Sequence, residues 1–229
     1  MSTKNIITLL LILSFSSAFS QMILNRDPNL KFLENGNLFN TPLVGGINSA
    51  QFSEIDLNID GLMDLVLFDK SGNKLIPFLN KNNSYEYAPQ YRNKFPRIHD
   101  WMILADYNCD GKNDIFTYSS GGIAIYLNTS NTELDFTKKT SLLLSDYGNN
   151  YLNIYISPVD IPAIADVDFD GDLDILTFSI LGGFVEYHKN LSMELYETCD
   201  SLNFELKENC WGLFYEGLNS YILNCPNCQ

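Results

Sequence analysis

The chain has 229 residues, enough for one large domain or two small ones. Its 28 Asp and Glu outnumber 14 Lys and Arg, and the resulting net charge of -14 argues against nucleic acid or anionic lipid as a partner. Eleven of the acids lie in three short stretches (three, three and five), so much of the acidity is local and would be offset by bound cations.

At the N-terminus, Lys4 gives a positive start, Ile6 to Leu13 an apolar core, and Ala18-Phe19-Ser20 a small-x-small pattern. This predicts an export signal over residues 1–20, cut ahead of Gln21. The apolar run is far shorter than the ~20 residues that span a bilayer. No later segment is long enough either, so a secreted chain without membrane insertion is expected. Residues 21–44 follow, with Leu30 to Phe39 broken by Asn35-Gly36, the pattern of a hairpin or an isolated strand.

The next part of the chain is organised around a nine-residue stretch that occurs three times. It begins at Asp56, Asp106 and Asp166 and ends at Asp64, Asp114 and Asp174. Position 1 is Asp56, Asp106 or Asp166; position 3 is Asn58, Asn108 or Asp168; position 5 is Asp60, Asp110 or Asp170. Position 6 is glycine throughout, and the intervening residues vary freely. A hard cation such as calcium takes six to eight oxygen ligands at ~2.3–2.6 Å, so every second side chain of a short segment must point inward. Glycine then allows the sharp turn, by accepting positive φ without a Cβ clash. Position 7, which is Leu62, Lys112 or Asp172, is expected to offer its backbone carbonyl, and the ninth residue to close the cage. Up to three calcium sites are therefore predicted. An EF-hand would need Glu at position 12 and flanking helices. Position 12 here is Leu67, Thr117 or Thr177, and each ninth Asp leads straight into an apolar β-prone run, so these loops connect strands. Solvated turns would explain one such cluster but hardly three in one register.

The loops are spaced by 50 and 60 residues, a period that signals an array of supersecondary units. Apolar strands lead in, as in Trp101 to Ala105 and Ile161 to Ala165. After each loop come a strand, a turn (Ser71-Gly72-Asn73, Ser120-Gly121-Gly122 or Leu181-Gly182-Gly183) and a second strand ending at Asn80, Asn128 or Asn190. A fourth, less regular segment completes the unit. Four strands per unit make a propeller blade, so the fold class expected is an all-β, partial β-propeller of three to four blades over residues 45–198.

These features resemble FG-GAP or VCBS repeats over about residues 45–190, the blades of calcium-bearing β-propellers such as the integrin α-chain head. The resemblance implies calcium in the hairpin between the first two strands of each blade, on one rim. It also implies a non-catalytic role in adhesion or in binding a protein or carbohydrate ligand. Such propellers close with about seven blades, so a truncated product or a fragment of a larger propeller is expected. On ligand charge, the third site, with Asp166, Asp168, Asp170 and Asp174, is expected to bind most tightly.

Residues 199–229 read as a Cys-bearing tail and the start of a further blade. Cys199, Cys210, Cys225 and Cys228 lie there, and export makes disulfides the default, with Cys199 to Cys210 the expected pair and Cys109 left over. Cys225 and Cys228 have redox-pair spacing but no βαβ context. His99 and His188 lack zinc-type spacing, and Glu133 with Asp135 reads as a solvated face. Trp101, Tyr107 and Tyr147 are candidates for rim stacking. Asn82, Asn128 and Asn190 begin Asn-x-Ser sequons, two of them at a strand end where a turn role serves as well. The alternative function is a propeller domain of a secreted carbohydrate-active enzyme.

Overall fold

The computed structural model describes residues 30–38, 44–82 and 84–225. The signal segment lies outside these residues. The chain divides into two units, residues 1–39 and 40–229. In the first, β1 (Leu33–Glu34) and β2 (Asn37–Leu38) pair antiparallel across Asn35-Gly36, both at positive φ, as a two-residue hairpin turn requires.

The second unit is all-β and built from antiparallel meanders. Sheet one runs β3 (Ala50–Ile55), β4 (Asp64–Asp69), β5 (Lys74–Asn80), β6 (Tyr85–Tyr87). Sheet two runs β7 (Met102–Ala105), β8 (Asp114–Ser119), β9 (Gly122–Asn128), β10 (Phe136–Thr140). Sheet three has β13 (Ala163–Ala165), β14 (Asp174–Phe178), β15 (Val185–Asn190) and β16 (Phe204–Glu208) in the same order. It is extended by a hairpin of β11 (Leu144–Asp146) and β12 (Tyr151–Asn153), with β11 parallel to β16. This hairpin takes up the ten residues by which the second loop spacing exceeds the first, and it covers the outer edge of sheet three. Its pairing satisfies strand groups that would otherwise stay exposed.

Side-chain alternation makes the sheets stack. On β8, Ile115 and Phe116 point to opposite faces. Ile115 packs with Ile55, Leu57, Val66, Phe68 and Met102 between sheets one and two. Phe116 packs with Trp101, Ile125, Ile154, Ile175 and Phe204 between sheets two and three. The middle sheet is thus apolar on both faces, which is why its strands read as continuous hydrophobic runs.

Several expectations change here. Trp101 and Tyr107 are fully buried in that second core and are not rim residues. The fourth strand of the sheet-three meander, β16, lies beyond residue 198, where the sequence suggested the repeats end. Between β15 and β16 sits a short helix, α1 (Ser192–Tyr196). The tail forms a separate hairpin, β17 (Phe214–Gly217) with β18 (Ser220–Leu223), which docks on the turn of sheet three: the Glu216 amide donates to Gly183 O, and Phe184 packs on Tyr215. Cys199 pairs with Cys109, not with Cys210, because the second loop brings Cys109 within 5.9 Å (Cα to Cα) of it. Cys210 is in another disulfide, and Cys225 is a free thiol. Among the described residues no helix is long and apolar enough to cross a membrane.

Candidate metal centre

Each nine-residue stretch forms the hairpin connection between the first two strands of its sheet. The three loops share one hydrogen-bond scaffold. Position 1 takes two backbone N–H groups, from residues 5 and 6: Asp60 and Gly61 on Asp56, at 3.1 and 2.8 Å; Asp110 and Gly111 on Asp106, at 3.1 and 2.8 Å; Asp170 and Gly171 on Asp166, both at 3.1 Å. Position 5 accepts the N–H of position 7, at 2.9, 2.9 and 3.1 Å. These bonds draw the chain into a tight coil with the carboxylates gathered on its inner side.

Position 9 has a second task. Asp64, Asp114 and Asp174 are all fully buried. One carboxylate oxygen accepts the N–H of position 2 (Leu57, Tyr107 or Val167, at 2.8–2.9 Å). The other accepts the N–H of the strand-end residue (Asn80, Asn128 or Asn190, at 2.7–2.8 Å). One carboxylate thus ties the loop, the second strand and the third strand together. Burial pushes Asp64 and Asp174 above the ordinary carboxylate value, and Asp114 up to about 6, although these N–H bonds oppose the shift.

The strand-end asparagines complete the scaffold. Asn80, Asn128 and Asn190 donate their side-chain amides to Met63 O, Asn113 O and Leu173 O, and their oxygens accept the N–H two residues on. Asn128 and Asn190 are buried, so their role in the turn displaces glycosylation there. Position 4 was not legible as special, yet Ile59, Cys109 and Phe169 all adopt left-handed φ of 58–66°. The glycines at position 6 follow at 84–105°, as expected.

The donor set suits a hard divalent cation. Ligands 2.3–2.6 Å from one ion lie no more than ~5 Å apart. Asp166, Asp168 and Asp174 bring carboxylate oxygens within 4.8 Å of one another. Asp172 Oδ1 is buried without a hydrogen-bond donor, and Asp170 Oδ2 is buried with the Lys189 ammonium 3.3 Å away. Asn58 spans the first loop by donating to Asp60 Oδ2 at 2.8 Å, and the Asn108 amide reaches Asp106 and Asp110 at 3.2 Å.

Position 7 also has a use that the sequence did not suggest. In the second and third loops its side chain reaches past the loop to the residues after the strand end. Lys112 Nζ donates to Ser130 O at 3.0 Å, and Asp172 Oδ2 accepts the Met193 amide at 2.9 Å, which holds the start of α1. Asp172 is almost completely buried, and burial raises it to about 6. Two residues the motif did not reveal also join the third loop. Lys189 and Glu194 pair with each other, and Lys189 Nζ contacts Asp168 and lies 3.3 Å from Asp170. Burial lowers the Lys189 pKa, but these carboxylates outweigh it and hold the ammonium above the ordinary lysine value.

Residues 106–177 match the family model described as an FG-GAP-like repeat. The chain carries an FG-GAP-like repeat. Comparison with curated proteins finds no match. The FG-GAP-like match opens on the first residue of the second loop and ends just past the third, so it takes in two of the three loops. The first loop, outside the match, repeats the same hydrogen bonds residue for residue.

The remaining candidates have structural explanations. His188 is fully buried, with Nδ1 2.9 Å from Ser145 Oγ and Nε2 3.4 Å from Glu186. The order Ser-His-Glu imitates a hydrolytic relay, but Ser145 is also fully buried, so no substrate reaches its oxygen. The group joins β11 to β15. Exposed Glu133 pairs with Lys94, and Asp135 accepts from Thr129 in a turn. His99 pairs with its neighbour Asp100. Half-buried Tyr147 packs edge-on against His188.

Proposed function

We propose that this is a secreted, calcium-binding β-propeller repeat protein in which the three stacked sheets are consecutive blades and calcium orders the hairpin between the first two strands of each. The observation that carries this reading is the threefold recurrence of one carboxylate-lined coil whose backbone N–H groups are spent on holding the carboxylates inward. A solvated turn has no need to gather three acids within 4.8 Å of one another, as the third loop does. Asp56, Asn58, Asp60 and Asp64, with their counterparts in the other loops, are the ligands we assign, with the backbone carbonyls of Leu62, Lys112 and Asp172. Bound calcium would neutralise the clustered charge, so binding is coupled to loop order and to stability.

Export is supported by the Cys109–Cys199 disulfide, since such bonds persist in oxidising compartments. We assign the protein a non-catalytic role in adhesion or in binding a protein or carbohydrate partner, a reading supported by the Ser145-His188-Glu186 arrangement being sealed in the core. The test is a thermal melt of the chain in millimolar calcium, in millimolar magnesium and in chelator. The expected result is a higher melting temperature with calcium only, lost in part in Asp60→Ala and in Asp110→Ala. Identical melts in all three solutions would sink the calcium assignment.

A further inference from the structure

The three repeats differ at two facing positions, and they differ together. Position 3 of the loop is Asn58, Asn108 and Asp168; the residue before the strand-end asparagine is Leu79, Leu127 and Lys189. Where the loop gains a carboxylate, the neighbouring strand gains an ammonium, and the two are in contact. Helix α1 adds Glu194 to the same ammonium, with the helix start held by the Asp172 carboxylate. Lys189 is 15% exposed and its partners 21–37%, so the ammonium is largely desolvated yet has a way out to water. Asp168, Asp170 and Glu194 also lie within 4.8 Å of one another, close enough to share one cation of either kind.

We propose that Lys189 is a tethered counter-cation of the third loop, which holds that loop ordered without calcium and competes with calcium for Asp168 and Asp170. The inference rests on the calcium reading above and reverses the order that charge count alone gives. The third loop, richest in carboxylates, becomes the weakest and most replaceable calcium site, because an incoming ion must first displace the ammonium. Loops one and two, faced by leucine, have no ammonium paired with their carboxylates among the described residues and depend on the ion. One rim would then carry two sites that calcium must order and one that is already ordered without it.

The experiment is calorimetric titration of the whole chain with calcium, for wild type and Lys189→Leu, which installs the residue type of the other two repeats. Lys189→Gln is a second variant that keeps the polar side chain. Wild type should show two comparable sites and a weaker third. Removal of the ammonium should raise affinity at the third about tenfold, the weight of one screened charge contact. In chelator, Lys189→Leu should melt lower than wild type, and adding Asp168→Asn should restore most of the loss. If loops one and two bind and the third site stays within twofold in both variants, the inference is overturned. If neither wild type nor variant binds calcium anywhere, the calcium reading falls and takes this inference with it.

Discussion

The ninth aspartate offers the sharpest test of how these loops are built, because it is expected to act with or without metal. In Asp114→Ala, two buried N–H groups, those of Tyr107 and Asn128, lose the acceptor that holds them at 2.9 and 2.7 Å. Each unsatisfied buried donor costs ~1–3 kcal/mol, so the pair costs roughly 2–6 kcal/mol. Release of a buried carboxylate whose pKa is raised gives part of this back, leaving about 2–4 kcal/mol. In a chain of this size that lowers the melting temperature by roughly 5–15 °C. Asp110→Ala, by contrast, removes an exposed side chain that accepts one N–H, from Lys112, and should cost under ~1 kcal/mol in chelator. The assay is urea unfolding of both variants in chelator and again in calcium. In chelator Asp114→Ala should be clearly the weaker protein; in calcium Asp110→Ala should fall further behind wild type than it does in chelator. Equal loss for the two variants in chelator would refute the idea that position 9 pins the strands whether or not metal is bound.

Three further outcomes follow from the same geometry. Asp114 and Asp172 are each pushed from 3.8 to about 6, chiefly by burial, so their contribution to stability is full below pH ~4 and is lost as pH rises through about 6. Asp60 and Asp69 shift down and act in the opposite sense, so the readout is the difference in melting temperature between calcium and chelator, which should widen from pH 4 to 7; a flat difference would contradict it. The Cys109–Cys199 bond closes a separation of 90 residues, for which chain entropy predicts up to about 4–5 kcal/mol, so Cys199→Ser should unfold at markedly lower urea than wild type while an alkylated Cys225 should not. Expressed through a glycosylating secretory route, the chain should carry glycan at exposed Asn82 and none at Asn128 or Asn190, which peptide mass spectrometry would read directly.

The repeats were legible because their chemistry is local. Nine residues suffice to specify a coil with inward acids, and the strands after each loop announce themselves as apolar β-branched runs. The pinning task of position 9 was not legible, since an exposed loop aspartate and a buried pinning aspartate are the same letter. What separates Asp64 from Asp60 is burial, which depends on strands 10–20 residues further along the chain. The same limit applies to partners distant in sequence. Cys109 looked unpaired because nothing in its own stretch places the tail beside it, and Trp101 and Tyr107 looked available because their burial depends on sheet three. Lys189 had no motif, though comparing the strand-end positions of the three repeats would have flagged it as the one cation among leucines.

The loops are also joined to one another, which bears on how calcium would act. Asn113, at position 8 of the second loop, donates to Glu54 O beside the start of the first, at 2.8 Å. Cys109, at position 4 of the second, lies 3.6 Å from Gly171 O in the third and is bonded to Cys199, whose sulfur is 3.5 Å from the same oxygen. The second loop therefore touches both neighbours, through the Asn113 and Cys109 side chains, which meet backbone carbonyls on either side. Inside each sheet, the ninth aspartate carries the position of the coil to the second and third strands, whose apolar residues form the packed faces between sheets. An ion that orders the second coil would thus firm two inter-sheet contacts, whereas one at the first or third would firm a single contact. By this argument the second loop, with one carboxylate fewer than the third at the ligand positions, contributes most to calcium-dependent stability: position in the network outweighs ligand charge.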